Sequence, residues 1–277
     1  MSLSTHQADF VRDLVYRRSA IVLDETKHYL IQARLESLAV QVGYQSVGEL
    51  LTAAQSGTPD LHTRVVEALT TNETSFFRDR APFECLRKDV LPKVVDARAS
   101  KQSLTIWCAA CSTGQEPYSI AMMIDEHFPQ LRNWSVKILA TDISDQVLER
   151  ARSGKFQQLE VNRGLPATLL VKYFTRIGNQ WQIKQELRDV IEFSNLNLIG
   201  DWRLPRTPDI VFIRNVLIYF DVETKRGILQ RIRKTMSTDG ALFLGAAETT
   251  LNVDPHWERV SFENTSYYRM TVNGVQR

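Results

Sequence analysis

The chain has 277 residues, 43% of them hydrophobic, which exceeds one average domain and can fill a sizeable core. Its 34 Lys and Arg stand against 32 Asp and Glu, a near-neutral balance that argues against a dominant electrostatic attraction to nucleic acid or anionic lipid. The opening MSLSTHQADF lacks an apolar signal segment, and apolar runs such as IVFI and VLIYF are far below membrane-spanning length, so a soluble cytoplasmic protein without membrane insertion is expected.

Residues 1–70 show helical periodicity without strands, with Leu30, Ile31, Leu35 and Leu38 at helix spacing. Ser46 and Glu49 have the spacing of a capping box ahead of Leu50 and Leu51. A small all-helical domain is expected here. Residues 71–95 read as a linker and a connecting helix: the polar stretch TTNETSFFRD precedes Pro82 and the periodic Phe83, Leu86, Val90 and Val94. Phe76 and Phe77 are expected to pack in a core rather than to stack on a ligand.

Residues 96–277 alternate short apolar runs with helical segments: LTIW then YSIAMMIDEHF, VKILA then SDQVLERARSG, DIVFIR then VETKRGILQRIRKTM, and ALFLG. This is the pattern of a parallel sheet with helices on both faces. WERVSF and TSYYRM predict two strands turning at Glu263-Asn264, an antiparallel edge. Residues 153–188 interrupt the alternation with the helical LPATLLVKYF and then TRI, Gly178-Asn179 and QWQIK, which predicts an inserted β-hairpin subdomain.

The stretch CAACSTGQE occupies the first strand-to-helix turn, the usual ligand cradle of an open α/β sheet. A dinucleotide site needs G-x-G-x-x-G so that backbone can approach a pyrophosphate; here Ala109 and Ala110 stand where glycines are expected, and only Gly114 remains. No Gly-Lys-Ser/Thr follows, so a Walker-type phosphate loop is excluded as well. The second strand ends in Thr141-Asp142, and an acid there can accept both hydroxyls of a ribose. A ribose without a pyrophosphate fits S-adenosyl-L-methionine, whose cationic groups Glu116 would favour. Glu116 also suits a helix N-terminus, and Asp142 also suits a turn. Arg214, directly after DIVFI, is expensive to bury without a purpose.

Trp107-Cys-Ala-Ala-Cys111 has the spacing of a thioredoxin-type redox site, but Ser-Thr-Gly separates the cysteines from the helix that would lower a thiol pKa. The three cysteines, Cys85, Cys108 and Cys111, are expected to be reduced thiols. No metal is expected, because the five histidines show no ligand spacing.

Four separated segments, TTNETSFFRD, AACSTGQEPYS, ATDIS and FIRNVLIYFD, together resemble the motifs of the CheR-type chemoreceptor glutamate methyltransferases. The similarity covers almost the whole chain. It implies a class I S-adenosylmethionine-dependent methyltransferase (Rossmann-like) α/β domain, an N-terminal all-helical domain and a small antiparallel β-subdomain insertion. It also implies that Asn72, Thr74 and Arg78 line the cofactor site, with Arg78 on the cofactor carboxylate and a second role in orienting substrate. Gly114 would form the turn, Glu116 would meet the amino-acid end and Asp142 the ribose. Asn197, Leu198, Arg214 and Asn215 would line the adenosine and methionine moieties, and Tyr219 would stand beside the transferring methyl group. From spacing alone, Tyr219 reads as a buried structural tyrosine among Val216, Leu217, Ile218 and Phe220.

The implied reaction converts a receptor glutamate to its γ-methyl ester and leaves S-adenosyl-L-homocysteine. The expected partner is the cytoplasmic helical bundle of transmembrane chemoreceptors, docked on the N-terminal helices of a monomer. Residues 1–70 hold six Lys and Arg against eight Asp and Glu, so a basic docking face must come from clustering of Arg17, Arg18, Lys27 and Arg34, unless these are simply solvated. In some relatives the β-subdomain edge captures a short receptor peptide by strand addition. Two rival readings are a methyltransferase acting on another substrate and a non-catalytic cofactor-sensing adaptor.

Overall fold

A computed structural model describes residues 3–24 and 28–271. The chain divides into two compact units, Met1–Thr71 with Tyr219–Thr224, and Asn72–Ile218 with Lys225–Arg277. Among the described residues, no helix is long and apolar enough to cross a membrane.

The first unit is built on α1 (Thr5–Ser19), α2 (His28–Val42), α3 (Val47–Gln55) and α4 (Pro59–Leu69). Each helix contributes an apolar stripe: Val11 and Val15, Ile31 and Leu35, Leu50 and Leu51, and Val65 and Leu69 are all buried. Ser4 caps α1 with both arms of a capping box. At α3 only one arm closes as the spacing suggests. Ser46 accepts from the Glu49 N–H at 3.2 Å, but the Glu49 carboxylate takes the N–H of Gln45 rather than that of Ser46.

Arg34 corrects an expectation. Its guanidinium donates to the carbonyls of Leu69 and Thr70, at 2.9 and 2.7 Å, and to the Thr71 hydroxyl. It therefore satisfies the orphan carbonyls at the end of α4 and is not presented as a docking cation. Arg17 and Arg18 are exposed on α1, Arg17 bonded to the Asp13 carbonyl and Arg18 lying 3.5 Å from the His62 ring. Lys27 lies outside the described residues.

The second unit begins with α5 (Ala81–Cys85), a π-helical turn (Leu86–Val90) and α6 (Leu91–Arg98), whose Phe83, Leu86, Val90 and Val94 are buried. Then follow β1 (Ser103–Ala109), α7 (Gln115–His127), β2 (Ser135–Asp142), α8 (Asp145–Ser153), β3 (Lys155–Gln157), α9 (Gln158–Asn162), α10 (Ala167–Tyr173), β4 (Phe174–Ile177), β5 (Gln180–Ile183), α11 (Gln185–Arg188), β6 (Ile191–Asn195), β7 (Ile210–Ile213), α12 (Val222–Thr235), β8 (Ala241–Leu244), β9 (Trp257–Phe262) and β10 (Thr265–Met270).

Among the described residues the main sheet has the order β6-β2-β1-β7-β8-β10-β9. The pairs among β6, β2, β1, β7 and β8 are parallel, while β10 runs antiparallel to both β8 and β9. Strands β1, β7 and β8 are buried over nearly their whole length and are mostly apolar, as in a parallel sheet with helices on both faces. The order reverses between β1 and β7, which opens a crevice beyond the carboxyl ends of these strands. The insertion forms its own antiparallel sheet, β3-β5-β4, with the expected tight turn at Gly178, where φ is 58°. Phe156 and Phe174 of this insertion pack edge-on against Phe76, with ring centroids at 5.0 and 5.7 Å. Phe76 is fully buried, in line with a core role.

Candidate active site

The turn between β1 and α7 is shaped by left-handed backbone at Ala110 (φ 66°), Ser112 (φ 50°) and Gly114 (φ 95°). Only the last requires glycine on steric grounds: a Cβ there would lie 3.1 Å from Ala151 Cβ and 3.1 Å from the Tyr118 ring. Two adjacent N–H groups anchor the turn to the end of β2. The Cys111 N–H donates to the Thr141 carbonyl at 2.8 Å, and the Ser112 N–H donates to the Asp142 carboxylate at 2.9 Å. The other Asp142 oxygen accepts from the Ser144 N–H at 3.1 Å. Asp142 is buried at the carboxyl end of β2, so its position is fixed by backbone on two sides.

The Ser112 hydroxyl donates to the Asn72 carbonyl at 2.9 Å and so ties this turn to the segment 72–80. A second tie is the Phe77 N–H, which donates to the Ser119 hydroxyl of α7 at 2.9 Å. Phe77, Asp79 and Arg80 all have positive φ, an accumulation of backbone strain of the kind that marks functional segments. Thr74 and Arg78 are half-buried. One Arg78 nitrogen donates to the Glu73 carbonyl at 2.8 Å, and its charge also acts on the Glu73 and Glu116 carboxylates.

Arg214 follows β7, and its side chain is 2% exposed. It donates to Glu116 at 2.9 Å, to Asp79 at 2.7 Å and to the Arg78 carbonyl at 3.0 Å, and it lies 5.8 Å from the Phe83 ring centroid. One cation thus joins the start of α7, the segment 72–80 and the end of β7. Burial pushes the Glu116 carboxyl above its ordinary value, and the Arg214 guanidinium pulls it back. Asn215 sits at φ 58°, with its N–H on the Glu248 carboxylate at 2.8 Å.

The segment after β6 is attached through the Leu196 N–H, which donates to the Asp142 carbonyl at 2.9 Å. Asn197 bends this segment by accepting from the Ile199 N–H at 3.2 Å. Arg231 of α12 donates to the carbonyls of Leu198 and Gly200, both at 2.6 Å, and lies over the Trp202 ring. Asn72, Arg78, Gly114, Glu116, Asp142, Leu198, Arg214 and Asn215 therefore lie on segments linked by direct hydrogen bonds. Tyr219 belongs to the helical unit. It is half-buried, whereas Leu217 and Phe220 are the buried residues of that stretch, which corrects the reading of Tyr219 as a buried core residue.

Asp79, Ser112, Arg231 and Glu248 complete these links and were not singled out by sequence. Asp79 and Ser112 lie within the quoted motifs, but nothing in their spacing shows a partner. Cys85, Cys108 and Cys111 are free and buried. Burial raises the Cys108 and Cys111 thiols well above their ordinary range and pushes Cys85 up to about 12, the opposite of a reactive redox thiol.

Comparison with known families matches residues 7–70 to the all-alpha domain of CheR methyltransferases and residues 72–266 to their SAM-binding domain. The chain belongs to the CheR methyltransferase family. Chemotaxis protein methyltransferase 1 of Pseudomonas aeruginosa is 42% identical over 96% of this chain and 99% of its own. Chemotaxis protein methyltransferase Cher2 of Pseudomonas putida is 41% identical over 93% and 96%, and the chemotaxis protein methyltransferase of Vibrio parahaemolyticus is 37% identical over 95% of each chain. In this CheR family member Asn72 opens the matched SAM-binding domain, and each candidate cofactor residue lies inside it. The residues fit S-adenosyl-L-methionine: a fixed carboxylate at the end of β2, a turn with one glycine, and the half-buried guanidinium of Arg78.

Proposed function

We propose that this protein methylates glutamate side chains of chemoreceptors, forming γ-methyl esters, with Asp142 on the cofactor ribose and Arg78 on its carboxylate. The observation that supports the reading is the buried Asp142 carboxylate, fixed at the end of β2 by the Ser112 and Ser144 N–H groups, with the half-buried Arg78 on the segment that Ser112 ties to this turn. When bound, S-adenosyl-L-methionine supplies an electrophilic methyl on a sulfonium. A glutamate carboxylate, with an ordinary pKa of about 4.3, is already ionised at neutral pH, so the site needs no general base. What the protein must supply is placement and exclusion of water. Asn72, Thr74, Glu116, Asn197, Leu198, Arg214 and Asn215 place the cofactor, and Tyr219 borders the methyl-transfer pocket. The helical unit docks the receptor's helical bundle, with Arg17 and Arg18 as exposed cations on α1.

Calorimetric titration with S-adenosyl-L-homocysteine, and incorporation of labelled methyl into purified receptor, test the two halves of this proposal. Asp142→Ala is expected to weaken cofactor binding on the order of 100-fold, about 2.7 kcal/mol, by removing a charged acceptor. Release of the label as methanol in mild base identifies an ester; base-stable label points to methylation of another group. Tyr219→Phe is expected to reduce turnover about 10-fold or more while leaving cofactor affinity within about twofold. Equal losses in both would remove Tyr219 from the transfer pocket.

A further inference from the structure

Glu248 follows β8 in the turn Gly245-Ala-Ala-Glu248 and gathers three backbone N–H groups on one carboxylate. Oε2 accepts from Asn215 at 2.8 Å and from Gly245 at 2.7 Å, while Oε1 accepts from Ile218 at 3.2 Å. Two of these donors belong to the turn after β7, which carries Asn215 in a left-handed conformation at φ 58°. That conformation is unfavourable for a residue with a side chain, so it persists only where surrounding contacts impose it. The approach is close: a Cβ on Gly245 would lie 2.7 Å from the Asn215 amide nitrogen Nδ2 and 2.7 Å from Glu248 Oε2. Arg214, one residue earlier, is held separately by Asp79 and Glu116.

We propose that Glu248 is a positioning residue for methyl transfer, holding the Asn215–Ile218 turn so that the Asn215 side chain faces the cofactor and Ile218, the residue before Tyr219, is fixed. The inference rests on the function proposed above. A charged acceptor suits this role better than a neutral one, because each of its N–H bonds is charge-assisted. Glu248 also lines an open polar cleft with Asp79, Thr249 and Tyr268. Water can therefore replace its carboxylate, and truncation leaves no void in the core.

The test compares Glu248→Ala and Glu248→Gln with the parent protein in melting temperature, affinity for S-adenosyl-L-homocysteine, kcat and receptor KM. The expected result for Glu248→Ala is a folded protein with kcat lowered on the order of 100-fold, cofactor affinity lowered about 10-fold and receptor KM unchanged. Glu248→Gln, which keeps one acceptor oxygen, should recover part of each loss. Amide exchange at Asn215, Gly245 and Ile218 should accelerate most in the alanine variant and less in the glutamine variant. A lowered melting temperature with kcat and affinity unchanged would overturn the proposal and reduce Glu248 to a turn staple. Should the parent transfer no methyl to receptors, affinity and amide exchange still decide the clamp, so its failure is separable from failure of the function.

Discussion

Replacing Arg214 by alanine is expected to destabilise the protein by about 3–5 kcal/mol and to abolish cofactor binding, because it leaves the buried Glu116 carboxylate without its hydrogen-bonded cation. Arg214 is 2% exposed on its side chain and Glu116 12%, so water cannot easily take the place of the guanidinium. The loss should depend on pH with a definite sign. Burial already raises the Glu116 carboxyl in the folded state, and removing Arg214 removes the largest opposing influence. An acid whose folded value is raised favours the folded state below its unfolded value, and that contribution is lost as pH rises through the folded value. The deficit of Arg214→Ala relative to wild type should therefore be largest at pH 8 and shrink towards pH 5, as Glu116 takes up a proton. Urea midpoints at both pH values measure it. Adding Glu116→Gln to the variant should restore part of the stability at pH 8, and an unchanged double variant would show that Glu116 is not the stranded charge. Arg214→Lys should rescue little, since a point ammonium cannot meet Glu116, Asp79 and the Arg78 carbonyl at once.

Gly164→Ala is the second substitution with a large expected effect. Gly164 has φ 90°, and a Cβ there would lie 2.0 Å from the Phe76 carbonyl oxygen, so the backbone must move. The left-handed conformation alone disfavours alanine by about 1–2 kcal/mol. The clash should bring the total to roughly 3 kcal/mol or more. Displacing Phe76 also disturbs its contacts with Phe156 and Phe174 and shifts Arg78, two residues along, so cofactor affinity should fall with stability. Gly178→Ala is the control. Its φ is 58° with nothing within 4 Å of the added Cβ, so it should show only the conformational part. Equal melting temperatures for the two variants would mean that the Gly164 contact relaxes at little expense.

Strands β1, β2, β7 and β8 were legible as apolar runs because they are buried on both faces, and the β9–β10 hairpin because its turn interrupts two alternating segments. Strand β6 was not. Its sequence IEFSN is half-exposed at the sheet edge, with two polar residues at its end, and only pairing with β2 makes it a strand. Arg214 announced a purpose through its charge at a strand end, but its partner Asp79 lies 135 residues away, a distance that no local pattern spans. Arg34 looked like a free surface cation, since nothing in its helix shows that carbonyls of α4 lie within reach. Ala110 and Ser112 gave no hint of left-handed backbone, because neither residue type favours it; tertiary contacts impose it.

Those same residues have a thermodynamic consequence for ligand capture. A glycine-rich cradle is loose before its ligand arrives and must lose that freedom on binding. Here alanine and serine occupy two of the three left-handed positions, and two backbone N–H groups, bonded to the Thr141 carbonyl and the Asp142 carboxylate, close the loop within the protein itself. Its ordering is completed during folding rather than during the encounter with the cofactor. Association should then carry a small entropic penalty and proceed in a single kinetic phase, with the residence time set by the contacts made and not by a loop that must reopen.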